Sequence, residues 1–372
     1  MKLKHSFLII PSLIIIAFIS ISWGAVGHNK ISHDASLSFI QEMSQFNTWT
    51  SLLASHASDA DARKDTDPTE GVKHYIDIDN YPIFVSTGRI PQTIDSMNAM
   101  YGSSTVTNNG TLPWTTKTTV DSLRNCFARL DWAKALFFAE DLGHYVGDGH
   151  MPLHITANYD GAQTGNSGIH SRYESTMIGS YVSQINYTGD TVVEVQDVNQ
   201  YIFDYLYASY KYKDSVLLAD TYAKTISSNT SSSLYKDALW QKTKTYTIML
   251  FKKGSHALAE LIYTAWKQAG SPAMPNVSVF SKPEAKTSLQ LQNSPNPFNN
   301  NTLITYTLNE NSRVELLLCD ISGKQIESIK SATETAGKHQ LQWNTQFLSS
   351  GIYFLKIKTA TAEQTIKLVK GE

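Results

Sequence analysis

The stretch that decides the fold is His144–His154, which has the sequence HYVGDGHMPLH. His144 and Asp148 are four residues apart, so on a helix their side chains project from the same face. Pro152 then ends the helix, because proline lacks an amide donor and clashes with the preceding turn. His154 follows at once and can bend back toward the same cavity. The stretch therefore predicts the end of a helix that carries metal ligands.

A helical pattern extends from this stretch over most of the chain. From about residue 25 to residue 270, apolar residues recur every three or four positions. Residues 271–292 are rich in proline and serine, which is typical of a linker. Beyond it, short runs such as Leu303–Leu308 and Ile352–Ile357 are separated by asparagine, glycine and serine, which indicates strands and turns. We therefore expect a mainly α domain followed by a small all-β, immunoglobulin-like sandwich.

The amino terminus is typical of an export signal. Two lysines precede an apolar run, Phe7–Ile21, and small residues follow it. This order predicts a cleavable secretory signal over residues 1–22, with an uncleaved anchor as the alternative. The run is short and contains Pro11, which disfavours a transmembrane span, and no later segment is apolar for long enough. Cleavage after Ser22 would make Trp23 the first residue of the mature chain.

The composition limits what can bind a metal and which partners the chain attracts. The 372 residues carry 31 basic and 33 acidic side chains, a formal net charge of −2, so the overall charge does not favour a polyanionic partner. A hydrophobic fraction of 41% excludes a disordered chain. The two cysteines, Cys126 and Cys319, provide neither a disulfide framework nor a thiolate zinc site. Any metal would therefore be bound by histidine, aspartate and glutamate.

Further candidate ligands flank the central stretch. His170 and Glu174 repeat the four-residue spacing, and Asp59, Asp61 and His74 offer another group upstream. Nitrogen and oxygen donors of this kind suit zinc without thiolates. A single pair at helical spacing is a weak signal, because surface histidines are commonly solvated. Together, the pairs predict a metal centre.

The helical part resembles the superfamily that joins bacterial zinc-dependent phospholipases C to the single-strand-specific zinc nucleases. The resemblance spans residues 23–270 and implies a helical catalytic domain of that fold. Trp23–His28 is similar to the nuclease start, in which an amino-terminal tryptophan chelates zinc through its amino and carbonyl groups. His144–His154 is similar to the family's central motif, and His170–Glu174 to the phospholipase version of the last ligand pair.

Carried over residue by residue, the resemblance implies a cluster of three zinc ions. One ion would be bound by Asp61, His74, His144 and Asp148; a second, to which Asp148 bridges, by Trp23 and His28; and a third by His154, His170 and Glu174. The first carboxylate stays open between Asp59 and Asp61, although the family's ligand follows an alanine, as Asp61 does. Asp61 would also orient the attacking water or accept its proton, so Asp61 and the bridging Asp148 are the expected catalytic residues.

Other residues near the ligands have two interpretations each. Asp77 and Asp79 fit either carboxylates that orient imidazoles or an ordinary polar turn. Arg63 and Lys64 could contact a substrate phosphate, but adjacent basic residues are more often a solvated face. The tyrosines of residues 201–212 could stack on bases, but aromatic residues at helical spacing more often belong to a core.

A centre of this kind predicts hydrolysis of a phosphodiester. Zinc makes a hydroxide available near neutral pH and offsets the charge of the phosphate. The His-Glu-x-x-His motif of metallopeptidases does not occur in the sequence. A non-catalytic zinc-binding surface protein is a remote alternative, and a set of nine ligands argues against it because a structural zinc site closes with four.

The choice between lipid and nucleic acid rests on a few residues. Glu174 as the last ligand, the short interval between His154 and His170, and the lack of internal disulfides favour phospholipase C-like cleavage of phospholipids. The Trp23–His28 start and the stretch His74–Asp77 favour endonuclease or 3′-nucleotidase-like hydrolysis of single-stranded DNA or RNA. We expect a lipid substrate and keep nucleic acid as the alternative.

The C-terminal part resembles the sorting domain of the type IX secretion system of Bacteroidetes. Three stretches match in order, Pro295–Asn299, Asp320–Lys324 and Leu348–Ile357. With a domain over residues 293–372, the resemblance implies export through the outer membrane by the type IX machinery, to the medium or the cell surface. It also implies removal of the tail or its attachment to lipopolysaccharide. A generic β-sandwich binding module is the alternative.

Overall fold

The computed structural model describes residues 24–275, 289, 291–308, 310–319, 325–359 and 363–371. The chain divides into two compact units, and the boundary lies between Met274 and Pro275. In the described residues the first unit is helical and the second consists of strands, which confirms the expected fold class. The predicted signal peptide, Trp23, most of the predicted linker and the turn Asp320–Lys324 lie outside the described residues.

The helical unit is built from helices of very different lengths, and 3₁₀ segments lie between some of them. In chain order the helices are α1 (Gly24–Ala35), α2 (Thr50–Ser55), α3 (Asp59–Arg63), α4 (Pro82–Thr87), α5 (Ile94–Tyr101), α6 (Ser103–Asn108), α7 (Leu112–Ala128), α8 (Trp132–Gly149), α9 (Ile169–Ser171), α10 (Ile178–Tyr181), α11 (Val198–Tyr210), α12 (Lys213–Ile226) and α13 (Ser233–Gln268). A single π-helical stretch, Arg172–Met177, joins α9 to α10. None of the helices in the described part of the chain is long and apolar enough to span a bilayer.

Helix α8 is the central element of this unit. Its N-cap, Asp131, accepts a hydrogen bond from the amide of Lys134, and its last two turns are buried. Glycines let α1 approach this buried end closely: a Cβ on Gly143 would lie 2.6 Å from Ser32 Oγ, and one on Gly147 would lie 2.8 Å from His28 Nδ1. Any larger residue at these positions would push α1, and the histidine it carries, away from α8.

Aromatic side chains fill the core behind α8. Phe46 is fully buried, and its ring centroid lies 5.0–6.4 Å from those of Trp49, Phe127, Trp132 and Trp266. Tilted and edge-on arrangements of this kind add to the stabilisation from burial. This cluster connects the amino-terminal segment, α7, α8 and the end of α13, so it fixes the frame on which the buried end of α8 is held.

The second unit is a sandwich of two antiparallel sheets. Its strands are β1 (Gln292–Ser294), β2 (Asn301–Leu308), β3 (Ser312–Cys319), β4 (Gln325–Glu334), β5 (Gly337–Asn344), β6 (Gly351–Lys358) and β7 (Glu363–Lys370). One sheet has the order β1-β2-β5 and the other β4-β3-β6-β7. In β2 every second side chain is buried, including Ile304 and Tyr306, so the alternation in the sequence supplies one face of the core.

Phe46→Ala is expected to lower the free energy of unfolding of the helical unit by about 3–5 kcal/mol, because it opens a cavity in the aromatic cluster. Urea unfolding followed by the helical circular dichroism signal would measure the loss. The matched control is Phe137→Ala, since the side chain of Phe137 is 44% exposed and its removal should cost about 1 kcal/mol or less. Equal losses in the two variants would contradict the assignment of Phe46 to the core.

Candidate metal centre

The structure brings eight of the nine predicted ligands into three adjoining groups. Within each group the donor atoms lie within 4.8 Å of one another. The groups are His28, His144 and Asp148; Asp61, His74 and His144; and His154, His170 and Glu174. Trp23, the ninth predicted ligand, is outside the residues that the structure describes.

Asp148 connects the groups. Its side chain is fully buried. Oδ2 lies 3.0 Å from His74 Nδ1 and 3.3 Å from His144 Nε2, whereas Oδ1 lies 3.5 Å from His28 Nε2 and 3.4 Å from His154 Nδ1. Burial acts to raise the pKa of Asp148, but the charges of His144 and His154 hold that pKa well below its usual range. The carboxylate is therefore ionised at the centre of four imidazoles.

The carboxylates of Asp148 and Asp61 stabilise positive charge on His144. Burial acts to lower the pKa of this imidazole, but Asp148 and Asp61 raise it to about 9. His28, stacked on His144 with ring centroids 3.9 Å apart, instead has its pKa lowered to about 4 by burial and by the charge of His144. His28 and His144 therefore differ in charge near neutral pH, and carboxylates that stabilise positive charge beside a neutral imidazole are chemically suited to a metal ion.

Of the two carboxylates left open by the sequence, the structure places Asp61 at the centre. Its Oδ1 lies 3.5 Å from His74 Nδ1 and 3.6 Å from His144 Nε2, and it accepts a hydrogen bond of 2.6 Å from Lys64 Nζ. Asp59 is exposed and pairs instead with His56, at 2.8 Å.

The third group is formed where the chain turns back after Pro152. His154 Nε2 and His170 Nε2 lie 3.4 and 3.2 Å from Glu174 Oε2, and the two rings stack with centroids 4.9 Å apart. His170 and Glu174 keep their four-residue spacing across the junction between α9 and the π-helical stretch. Two hydrogen bonds hold this turn in place: the side-chain Nδ1 of His154 donates to the carbonyl of His74 (2.6 Å), and the amide of Ile76 donates to the carbonyl of His154 (2.8 Å).

Unsatisfied polar atoms show that this donor set fits a metal ion. His154 Nε2, both ring nitrogens of His170 and both carboxylate oxygens of Glu174 are buried without a partner in hydrogen-bond geometry among the described residues. Each such atom costs about 1–3 kcal/mol if it stays unsatisfied. Two imidazole nitrogens and a carboxylate are ligands that zinc accepts. The donation from His154 Nδ1 to a carbonyl also leaves Nε2 as the lone-pair nitrogen that faces Glu174.

Glu70, which was not among the predicted site residues, orients His74 from the opposite side. It is buried, and its Oε1 lies 3.4 Å from His74 Nε2. Tyr145 donates a hydrogen bond of 2.5 Å to Oε1, and Lys73 donates one of 2.7 Å to Oε2. Burial acts to raise the pKa of Glu70, but His74, and then Lys73 and Tyr145, lower that pKa below its usual range. The spacing of four residues between Glu70 and His74 was the signal in the sequence.

The acidic residues after His74 act differently from a carboxylate that orients an imidazole. Asp79 accepts hydrogen bonds from Thr156 Oγ1 (2.6 Å) and from the amide of Ala157 (2.9 Å), so it anchors the backbone that leaves His154. Asp77 lines a cavity of about 380 Å³ next to the metal ligands. Burial, and then the charge of Asp79, raise the pKa of Asp77 to about 7.

That cavity lies against three of the candidate ligands. His74, His154 and His170 line it together with Tyr75, Tyr159, Asp77 and Lys64. The ring of Tyr159 is 51% exposed, which places it at the mouth. The cavity therefore combines candidate metal ligands, one lysine, one carboxyl group and aromatic rings.

Other basic and aromatic candidates from the sequence have structural partners. Arg63 lies 2.9 Å from Asp141 and 3.5 Å from Glu70, so it supports the network behind His74. Tyr201 donates to Glu260, at 2.6 Å, and Tyr205 stacks on His150 with centroids 4.5 Å apart. These tyrosines pack between helices, as the core interpretation predicts.

Comparisons with known proteins characterise the second unit. Residues 294–371 match the family described as secretion system C-terminal sorting domain. This confirms the resemblance to a sorting domain that the sequence predicts for the tail. No curated protein matches the chain.

Two solved structures are distantly similar to the chain. The alpha-toxin of Clostridium perfringens from avian strain SWCP has 9% identity and a TM-score of 0.44, over 93% of this chain and 97% of the toxin. The alpha toxin of Clostridium absonum has 10% identity and a TM-score of 0.39, over 93% of this chain and 96% of the toxin. Similarity at this level is too low to assign an activity.

Asp77→Asn is expected to stabilise the metal-free protein more at about pH 8 than at about pH 5. The folded pKa is raised from 3.8 to about 7, so between these values the folded carboxyl group keeps a proton that the unfolded one releases. Its contribution to the free energy of unfolding therefore falls as pH rises through that interval, and asparagine removes this loss. Urea unfolding of chelator-treated protein at both pH values would measure it. Asp65→Asn, at an exposed position, is the control; an equal effect of Asp77→Asn at both pH values would count against the burial of this carboxyl group.

Proposed function

We propose that the helical unit is a zinc-dependent phosphodiester hydrolase that cleaves phospholipids in the manner of a phospholipase C. The observation that carries the proposal is the convergence of three groups of buried imidazoles and carboxylates beside one cavity. The resemblance of His144–His154 and His170–Glu174 to the zinc phospholipase and nuclease superfamily supports the choice of zinc and of a phosphodiester bond.

The donor set would hold three zinc ions: one at Asp61, His74, His144 and Asp148, a second at Asp148, Trp23 and His28, and a third at His154, His170 and Glu174. The proposed ligands are Trp23, His28, Asp61, His74, His144, Asp148, His154, His170 and Glu174. When bound, zinc supplies Lewis-acid polarisation of a phosphoryl oxygen and activation of water at neutral pH.

The remaining chemistry belongs to side chains of the chain itself. Asp61, which Lys64 holds at 2.6 Å and whose side chain is 15% exposed, orients the attacking water and accepts its proton. The ammonium group of Lys64, on the cavity wall, offsets negative charge on the phosphate. Asp148 keeps four imidazoles in one arrangement, so the phosphorus atom meets preorganised groups and no covalent intermediate is needed.

The side chains that line the cavity help to decide between a lipid and a nucleic-acid substrate. Tyr75, Tyr159 and Leu153 give it aromatic and apolar sides, and Asp77 adds one carboxyl group. Such walls accommodate a headgroup next to an apolar chain, which supports the lipid assignment. The alternative, hydrolysis of single-stranded DNA or RNA, is favoured by the nuclease-like stretch His74–Asp77, whose tyrosine and aspartate both line the cavity.

The proposal also includes export of the protein from the cell. The match of residues 294–371 to a sorting domain supports passage through the outer membrane by the type IX machinery, after a signal peptide has taken the chain across the inner membrane. The hydrolase would then act in the medium or at the cell surface, where its tail is removed or attached to lipopolysaccharide.

The mature chain that starts at Trp23 is expected to hydrolyse bis(p-nitrophenyl) phosphate, to lose this activity in a chelator and to regain it with zinc. His144→Ala and Asp148→Asn should each lower turnover by about 100-fold or more, because each removes a ligand. His256→Ala is the control, since this histidine pairs with Glu260 at 3.3 Å and belongs to none of the three groups. Similar losses in all three variants would contradict the proposed ligand set.

Assays with natural substrates distinguish the phospholipase assignment from the nuclease alternative. The same preparation should release a phosphorylated headgroup from phosphatidylcholine vesicles. Cleavage of single-stranded DNA or RNA without any cleavage of phospholipid would overturn the lipid assignment and leave the phosphodiesterase assignment in place.

Glu70→Gln is expected to weaken zinc binding by about 10–100-fold, because the variant loses the charged acceptor that fixes the ring of His74. Competition with a chromophoric chelator would measure the zinc affinity independently of turnover. Glu42→Gln is the matched control, since Glu42 is 57% exposed and pairs only with Lys267 among the contacts described, at 3.4 Å. An unchanged zinc affinity in folded Glu70→Gln would show that Glu70 has no part in the centre.

A further inference from the structure

Charge is distributed unevenly along the helical unit. Residues 211–253, which include α12 and the first half of α13, contain eight lysines and three aspartates, a net charge of +5 in a chain whose overall formal charge is −2. Asp220 is fully buried and lies 2.9 Å from Arg172 and 2.7 Å from Lys224, and Asp214 lies 2.7 Å from Lys213, so these two carboxylates pair with only two of the eight lysines. The surface of this segment is therefore distinctly basic.

The same segment exposes an apolar row. Leu218, Tyr222 and Ile226 are four residues apart on α12 and are 69%, 42% and 48% exposed. Leu234, 60% exposed, follows at the start of α13. The opposite side of α12 already supplies buried residues to the core. A surface helix is expected to present polar residues to water on its outer face, so this second apolar face is unexplained by folding.

Lysine and aromatic side chains meet in the middle of the row. The Nζ atom of Lys242 lies 4.3 Å from the ring centroid of Tyr222. This contact joins α12 to α13 and puts a cation directly beside the exposed apolar side chains. We call Leu218, Tyr222, Ile226, Leu234 and Lys242 the α12 surface.

The α12 surface is next to the loop that borders the candidate cavity. Asn166 donates to the carbonyl of Leu217 and to Thr221 Oγ1, both at 3.0 Å, and Lys224 donates to the carbonyl of Gly165 at 3.2 Å. The loop that these bonds attach to α12 is the one that carries Tyr159, whose exposed ring lines the cavity mouth. The helix that carries the apolar row and the residue at the mouth are therefore joined through one loop.

We propose that the α12 surface docks the protein onto an anionic lipid bilayer. This deepens, and rests on, the proposed phospholipase function. The aliphatic side chains enter the boundary between headgroups and acyl chains, where each square ångström of apolar area removed from water contributes about 25 cal/mol. The lysines of residues 211–253 pair with anionic headgroups, each contributing about 1 kcal/mol near the surface.

The charge pattern favours a bilayer over other partners. A nucleic acid would satisfy the lysines but leave Leu218, Ile226 and Leu234 in water. A second copy of this chain, related by a two-fold axis, would place one +5 segment against another. A bilayer with anionic headgroups is complementary to the lysines and to the aliphatic side chains together.

Vesicle co-sedimentation of the full mature chain tests the proposal. Binding should be at least about tenfold stronger to phosphatidylcholine vesicles containing phosphatidylserine than to phosphatidylcholine alone. The double variant Leu218→Ser, Ile226→Ser should bind the mixed vesicles at least about tenfold more weakly. Val85→Ser, at a 72% exposed position on α4, is the matched control and should bind as the unaltered protein does. Lys242→Glu should weaken binding to the mixed vesicles only.

Turnover of bis(p-nitrophenyl) phosphate should be unchanged in these variants, so a defect in docking is distinguishable from a failure of the proposed hydrolase. Vesicle binding is also measurable in a chain that shows no turnover. Three results would overturn the proposal: equal binding of the double variant and the control; loss of single-stranded DNA binding in the double variant with vesicle binding intact; or a dimer in vesicle-free solution that the double variant dissociates.

Discussion

The buried carboxylate of Asp148 contacts imidazoles from four separate segments: His28 on α1, His74 in a 3₁₀ turn, His144 on α8 and His154 after the helix break. An ionised carboxylate without exposure to water is costly unless its partners are in place. The fold must therefore bring the four segments together, and they contact one another at the end of α8. The aromatic cluster and the close approach of α1 both serve to keep this meeting point fixed.

Behind the imidazoles there is a second layer of polar groups, which explains how so many titratable side chains are tolerated in one interior. The carbonyl oxygen of Ala57 accepts a hydrogen bond of 2.7 Å from His144 Nδ1. The carbonyl oxygen of His74 accepts one of 2.6 Å from His154 Nδ1. Glu70 is surrounded by hydrogen-bond donors. The Nδ1 atoms of His144 and His154 are thus satisfied by the protein, whereas buried atoms of His154, His170 and Glu174 are left for a ligand.

Local geometry made part of this site predictable. The pairs at four-residue spacing follow from helix geometry alone, and the change from helical to alternating patterns gave the fold class correctly. The choice between Asp59 and Asp61 needed the tertiary fold, because only the packing of α3 against α8 decides which carboxylate faces inward. The partner of Asp79 is Thr156, 77 residues away, and no local pattern indicates such a contact. Glu70 had a local signal but no feature that distinguished it from a solvated glutamate.

The long sequence separation between α1 and Glu174 determines when the candidate centre can form during folding. The donors come from segments that are brought together only by the completed helical unit, so partly folded chains contain the residues without the centre. The candidate centre can therefore form only after α1 has packed against the end of α8, so a ligand that needs all three groups would bind the completed helical unit and not a partly folded chain.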